Sequence, residues 1–124
     1  RNFVATILQR ARAGESLRVV DDQRGSPTWT QDLARAILLL LERAAPAGIY
    51  HVCNRGETTW YEFARAALQL AGVQAQVDSV SSAQFQRAAQ RPAYSVLDCS
   101  STEQIVGPLR PWGEALSDAL AAGV

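Results

Sequence analysis

The sequence predicts one domain of mixed class, α/β or α+β, and three observations predict it. Stretches patterned for helices alternate with short β-branched runs along the whole chain. At 124 residues the chain has room for one domain with a useful core. No repeat, linker or low-complexity segment divides it, so residues 1–124 read as a single unit.

The elements follow in order. Asn2 is a good N-cap, and Phe3, Ile7 and Ala11 recur at helical spacing until Gly14, a natural residue just past a helix end. Residues 17–20 (LRVV) form a short strand. The polar stretch DDQRGSPT comes next, and Thr28 with Gln31 fits a capping box opening a helix that runs through LARAILLLLERAA to Pro46 and Gly48. Residues 38–41 are apolar on every side, which predicts burial on more than one face and hints at a further layer. Residues 48–52 (GIYHV) read as a strand. Thr59 and Glu62 form a second capping box, and Trp60, Phe63, Ala67 and Leu70 make one stripe before Gly72. Residues 76–80 read as another strand, Ser81 caps a short helix containing Phe85, and residues 95–99 (SVLDC) are extended. Ser100 with Glu103 suggests one more helical turn, and Pro111 at a first helical position opens PWGEALSDALAA.

Composition excludes several classes. With 48% hydrophobic and 19% charged residues the chain is neither disordered nor membrane-spanning, and no apolar run approaches the ~20 residues of a transmembrane helix. The formal net charge is zero and no basic block occurs, so a nucleic-acid partner has no electrostatic support. The N-terminus lacks a signal-peptide layout, and Cys53 and Cys99 read as buried thiols of a reducing compartment, making the cytoplasm the expected location. The chain opens on Arg1 and contains no methionine, so it is expected to be part of a longer product. All twelve Lys and Arg positions are arginine, which excludes any step needing an ammonium group within the chain.

No catalytic residue is expected. His51 is the only histidine and shares one face of its predicted strand with Cys53; the pair reads as packed core, neither a metal site nor a dyad. No GxGxxG or P-loop pattern is present, so no phosphate cradle and no cofactor site are expected in this chain. Asp21 and Asp22 are neighbours on a strand exit and point to opposite sides, which prevents a joint acid–base role. Five polar residues remain: Asn2, Gln23, Arg24, Arg55 and Arg91. Arg24 and Arg55 read as solvated turn charges. Arg91 precedes Pro92, which holds its backbone extended; its guanidinium could clamp a diphosphate bidentately or join a surface ion pair.

The order NFV, LRVVDDQRGSPTWTQDLA, GIYHVCNRGETTWYEFA, RPAYSVLDCS and LRPWGEAL resembles the C-terminal part of dTDP-4-dehydrorhamnose reductases, of the extended short-chain dehydrogenase/reductase superfamily. The resemblance spans practically the whole chain, and its three longest segments in sequence are together specific. It implies an α/β fold of helices with a few short strands, the C-terminal portion of a Rossmann-superfamily enzyme without its dinucleotide-binding half. Such enzymes reduce dTDP-4-dehydro-L-rhamnose to dTDP-L-rhamnose with NADPH or NADH, held by an N-terminal glycine-rich turn, and use a Tyr-x-x-x-Lys pair. Neither feature lies here. The resemblance therefore implies a substrate-binding portion, inactive alone, whose partners are a dTDP-sugar and its own N-terminal domain. It places Asn2, Phe3, Gln23 and Arg91 at the substrate, with Arg91 at a diphosphate position. Pro27 and Thr28 would fix the loop and start the helix, and residues 38–41 would pack against the absent domain. Isolated, such a chain should self-associate, as a homo-oligomer or by exchanging elements. Two alternatives stand beside this: a non-catalytic regulatory subunit of the same fold, like the methionine adenosyltransferase β subunit, and a stand-alone interaction domain.

Overall fold

A computed structural model of the chain describes residues 2–85 and 89–123. Its first helix, α1 (Phe3–Arg12), begins because the Asn2 carboxamide oxygen accepts the Ala5 N–H at 2.8 Å, satisfying one otherwise orphaned donor. Strand β1 (Leu17–Val20) follows and pairs in parallel with β4 (Val77–Val80), Leu17 opposite Val77 and Val20 opposite Val80. A parallel pair needs a long crossover. Here that crossover holds β2 (Arg24–Gly25), α2 (Thr30–Glu42), β3 (Thr58–Thr59) and α3 (Trp60–Leu70). β2 and β3 form a two-residue antiparallel pair. A 3₁₀ turn (Ser82–Gln84), α4 (Ser100–Val106) and α5 (Trp112–Ala121) complete the chain.

One core organises this. Val4, Ile7, Leu8 and Ala11 of α1, Leu17 and Val19 of β1, Phe63, Ala64, Ala67 and Leu68 of α3, and Leu116 of α5 bury one another. Ala64 and Ala67 are fully buried, and their size lets α3 lie close to its neighbours. Each large aliphatic side chain so buried contributes about 1.5–3 kcal/mol. The predicted capping box forms at α3: Thr59 Oγ1 accepts from Glu62 N at 3.1 Å, and Glu62 Oε2 accepts from Thr59 N at 3.0 Å.

Several expectations need correction. The box predicted at Thr28 and Gln31 does not form: α2 has Trp29 at its N-cap with no side-chain cap. The Thr28 hydroxyl instead donates to Ser26 O at 3.1 Å and accepts from Asn54 N at 3.3 Å. α2 ends at Glu42, ahead of Pro46, with Ala44 at φ 49 carrying the turn. Residues 48–52 form no strand, because no strand among the described residues lies beside them to complete a ladder, and Ile49 is 87% exposed. Residues 95–99 likewise form no named strand; the nearby pairing is a single parallel bridge from Arg24 to Tyr94. Pro111 is the N-cap of α5 and Trp112 its first residue.

Leu38 and Leu41 are exposed and Leu39 and Leu40 half-buried, so the burial expected of this run is not reached within the described chain. His51 is exposed and takes part through its backbone, its carbonyl accepting from Thr102 Oγ1 at 2.6 Å; it does not share a core with Cys53.

Candidate functional site

The stretch DDQRGSPT is polar because most of its side chains tie the β1 exit to two other segments, residues 54–59 and 79–82. Asp21 accepts from Thr59 Oγ1 at 2.5 Å and from Ser79 Oγ at 3.1 Å. Asp22 turns the other way, accepting from Ser81 Oγ at 3.0 Å and from Ser82 N at 2.9 Å. The Ser82 N–H holds its carboxyl below the ordinary value of 3.8. Arg24 Nε donates to Glu57 Oε1 at 2.8 Å, and Tyr94 Oη donates to Glu57 Oε2 at 2.9 Å. These two bonds, Tyr94 first, depress the Glu57 carboxyl below its ordinary value. Ser26 Oγ donates to Gly56 O at 2.8 Å.

Arg24 is thus a half-buried, paired residue, and Arg55 is paired as well, its guanidinium donating to Glu103 Oε1 at 3.1 Å; neither is a purely solvated charge. Gln23 is the exception. Its side chain has no hydrogen-bond partner among the described residues, and it faces a groove.

That groove has two connected parts, about 780 Å³ and 330 Å³, with Gln23, Trp60 and Arg91 lining both. Phe3 and Ile7 of α1, Val19 and Val20 of β1 and Phe85 supply apolar wall to the larger part. Thr58, Thr59, Pro27 and Pro92 close the smaller one. Arg91 is exposed and has neither an ion pair nor a hydrogen bond among the described residues, so the surface ion pair weighed against a ligand role is not formed. The backbone just beyond it is held: Arg24 N donates to Ala93 O at 2.8 Å and Ser95 N donates to Arg24 O at 2.9 Å. Gly25 permits this approach, since a Cβ there would sit 3.1 Å from Ser95 Oγ.

Of the four residues predicted at a substrate, Phe3, Gln23 and Arg91 line the larger cavity together. Asn2 does not line it; its carboxamide is spent on the cap that starts α1 and thereby places Phe3. Three residues were missed. Trp60 stands 4.8 Å from Phe3 between ring centroids, opening an aromatic row that continues through Phe63 to Trp112. Sequence periodicity assigned Trp60 to a core stripe, and only its place in the first turn of α3 hinted at the exposed edge. Arg10 and Arg18 add two cations to the rim; Arg18 lies 5.8 Å over the Phe85 ring and donates to Gln84 Oε1 at 2.6 Å. Alternation along β1 points Arg18 outward, which was the available signal.

For a nicotinamide dinucleotide the residues present do not fit. No described helix opens from a glycine-rich turn: the N-caps of α1 to α5 are Asn2, Trp29, Thr59, Cys99 and Pro111. Among the described residues no group of three or more His, Cys, Asp or Glu could hold a metal ion, and no helix is long and apolar enough to cross a membrane.

The fold is that of a substrate-binding portion of the extended short-chain dehydrogenase/reductase class, as a family model and solved structures show. Solved dTDP-4-dehydrorhamnose reductases superpose closely: that of Clostridium acetobutylicum ATCC 824 with a TM-score of 0.92 at 34% identity, covering 98% of this chain and 44% of that one. The enzyme of Bacillus anthracis str. Ames, solved in complex with NADP, gives 0.91 at 34% identity, covering 98% and 43%. The family model for the RmlD substrate binding domain matches residues 1–124, and the chain belongs to that family. It is 44% identical over 119 residues to the spore coat polysaccharide biosynthesis protein SpsK of Bacillus subtilis (strain 168), covering 96% of this chain and 41% of that protein. It is 42% identical over 127 residues to the dTDP-4-dehydrorhamnose reductase of Streptomyces griseus, covering 98% and 42%. The chain therefore spans about two fifths of the length of the relatives it matches.

Proposed function

We propose that this chain forms the sugar-nucleotide side of a dTDP-4-dehydrorhamnose reductase active site, a cytoplasmic enzyme converting dTDP-4-dehydro-L-rhamnose to dTDP-L-rhamnose. NADPH or NADH, and the proton-transfer groups, belong to a dinucleotide-binding domain outside residues 1–124, which would also cover the exposed face of α2. The chain alone is inactive. One observation carries the reading: Gln23 and Arg91, the polar side chains lining both parts of the groove, are left without partners among the described residues. An arginine held in a cleft with no carboxylate paired to it among the described residues is suited to an anionic ligand. Arg91 takes the diphosphate with its fork, Phe3 and Trp60 offer flat apolar surface to the nucleobase, and Gln23 meets the sugar. Asn2 acts by positioning Phe3.

Titration of the reductase carrying this chain with dTDP-L-rhamnose tests the assignment. Arg91→Ala should weaken binding ten- to hundredfold, matching the ~1.5–3 kcal/mol of a charge-assisted hydrogen bond. Arg91→Lys should recover part of it, because an ammonium keeps the charge and loses the fork. Arg12→Ala, on the exposed end of α1 and outside the groove, is the control. Equal losses for Arg12→Ala and Arg91→Ala would sink the assignment. NADPH oxidation by the 124-residue chain alone should be flat, and sustained turnover would overturn its inactivity.

A further inference from the structure

Outside the groove the chain's two cysteines meet. Sγ of Cys53 and Sγ of Cys99 lie 3.3 Å apart, although 46 residues separate them in sequence, and both are free thiols. Each sits on anchored backbone. Cys53 is buried and precedes Asn54, whose carboxamide accepts from Trp29 N at 2.8 Å and donates to Asp32 Oδ2 at 2.8 Å. Cys99 is the N-cap residue of α4; Asp98 Oδ1 accepts from Ser100 N at 2.9 Å, and Thr102 Oγ1 of the same helix reaches His51 O. A cavity of about 270 Å³ opens onto both cysteines, giving a small reagent access.

We propose that Cys53 and Cys99 are a reversible dithiol–disulfide pair, stapling the segment that leaves Arg91 to the segment that carries Asn54. Oxidation breaks two S–H bonds and forms one S–S bond. The two electrons and two protons pass to a small disulfide oxidant such as glutathione disulfide, which leaves as two glutathione thiols. The attacking species is a thiolate, and burial, followed by the Cys53 thiol, pushes the Cys99 thiol up to about 11. The ionisable groups that line the cavity beside the pair are Arg55, Glu57, Asp98 and Glu103, with Arg55 paired to Glu103; Glu103 adds to the upward shift. Attack by Cys99 is therefore slow at neutral pH and quickens as pH rises.

The experiment treats the reduced chain with glutathione disulfide at pH 7 and pH 9, blocks free thiols, and maps the tryptic peptides by mass spectrometry. Arg91 and Arg110 precede proline and resist cleavage, so Cys53 falls in peptide 44–55 and Cys99 in peptide 88–124. The expected product is these two peptides joined, released by dithiothreitol, and formed faster at pH 9 than at pH 7. The oxidised chain should melt on the order of 10 °C higher, since closing a long loop restricts the unfolded chain. Cys99→Ser, at the less buried position, should stay folded when reduced and show no oxidant-dependent rise. Two fully alkylated thiols after oxidation, cross-links only between molecules, glutathione adducts that never resolve, or an equal melting rise in Cys99→Ser would each overturn the proposal.

Discussion

α3 and α2 are written in nearly the same letters, EFARAALQLAG against DLARAILLLLERA, yet they end in opposite situations. Phe63, Ala64, Ala67 and Leu68 of α3 are buried, whereas α2 buries Ala36 and leaves Ile37, Leu38 and Leu41 at 47%, 58% and 72% exposure. Polar contacts tie down the start of α2. Asp32 accepts from Asn54 Nδ2 and from Arg110 Nε, both at 2.8 Å, and the Arg110 guanidinium lies 5.3 Å from the Trp29 ring centre. An apolar stripe thus states that a helix is to be covered. It does not state by what.

The ends differ too. α1 and α3 close on Gly14 and Gly72 at φ 75 and 64, with the following N–H reaching back to Arg10 O and Leu68 O. α2 closes in the same way, Ala45 N donating to Leu40 O at 2.9 Å, but puts Ala44 at the left-handed position, where a Cβ is strained.

The largest expected effect tests the contrast directly. Phe63→Ala should cost about 3–5 kcal/mol in urea denaturation of the chain, and Leu41→Ala less than ~0.5 kcal/mol. Equal costs would erase the distinction between the two helices. Asn54→Ala comes next, at roughly 1–3 kcal/mol, because it leaves the Trp29 N–H without its acceptor and removes a donor from Asp32. Hydrogen exchange should then rise in residues 30–42 and hold steady in residues 60–70; uniform acceleration would mean that the tether serves the whole core. Ala44→Gly should stabilise α2 by about 0.5–1 kcal/mol, while Gly72→Ala should destabilise α3 by a similar amount or more, both read from thermal melts.

The smallest effect concerns Glu57, which joins Arg24 and Tyr94 across the groove's edge. Its folded value is depressed, so its contribution is fully present above the ordinary 4.5 and is lost as pH falls through the lower folded value. Melting temperature of the wild type should accordingly fall more steeply below pH 4.5 than that of Glu57→Gln, with the two curves parallel above pH 5. Parallel curves throughout would show that the cluster carries no linkage.

Features that depend on four or five neighbouring residues were legible in the letters. The Asn2 cap, the Thr59–Glu62 box and strand Leu17–Val20 all formed as read, because their donors and acceptors lie within one turn or one strand. Thr28 had the same local credentials as Thr59, but its hydroxyl is claimed by Asn54 N from 26 residues away. In the groove, Gln23 of DDQRGSPT and Arg91 of the Arg91–Pro92 pair, both singled out from the letters, line the same cavity. Trp60, Arg10 and Arg18 escaped, since a helix stripe and a strand alternation say which way a side chain points and not what stands opposite.

By itself the sequence determined the existence of α1 to α5, strand Leu17–Val20 and all but the start of strand Val77–Val80, the absence of lysine, and the unusual polarity of one connector. Those follow from periodicity, capping chemistry and composition, each a property of contiguous residues or of the count alone. Tertiary structure alone decided that Asp21 reaches the cap residue of α3, that Cys53 meets Cys99, and that, among the described residues, Arg24 is paired while Arg91 is not and the apolar face of α2 stays open. Each of these depends on which distant residue arrives beside which, and long-range proximity is set by the packing of the whole chain, beyond the reach of any local pattern.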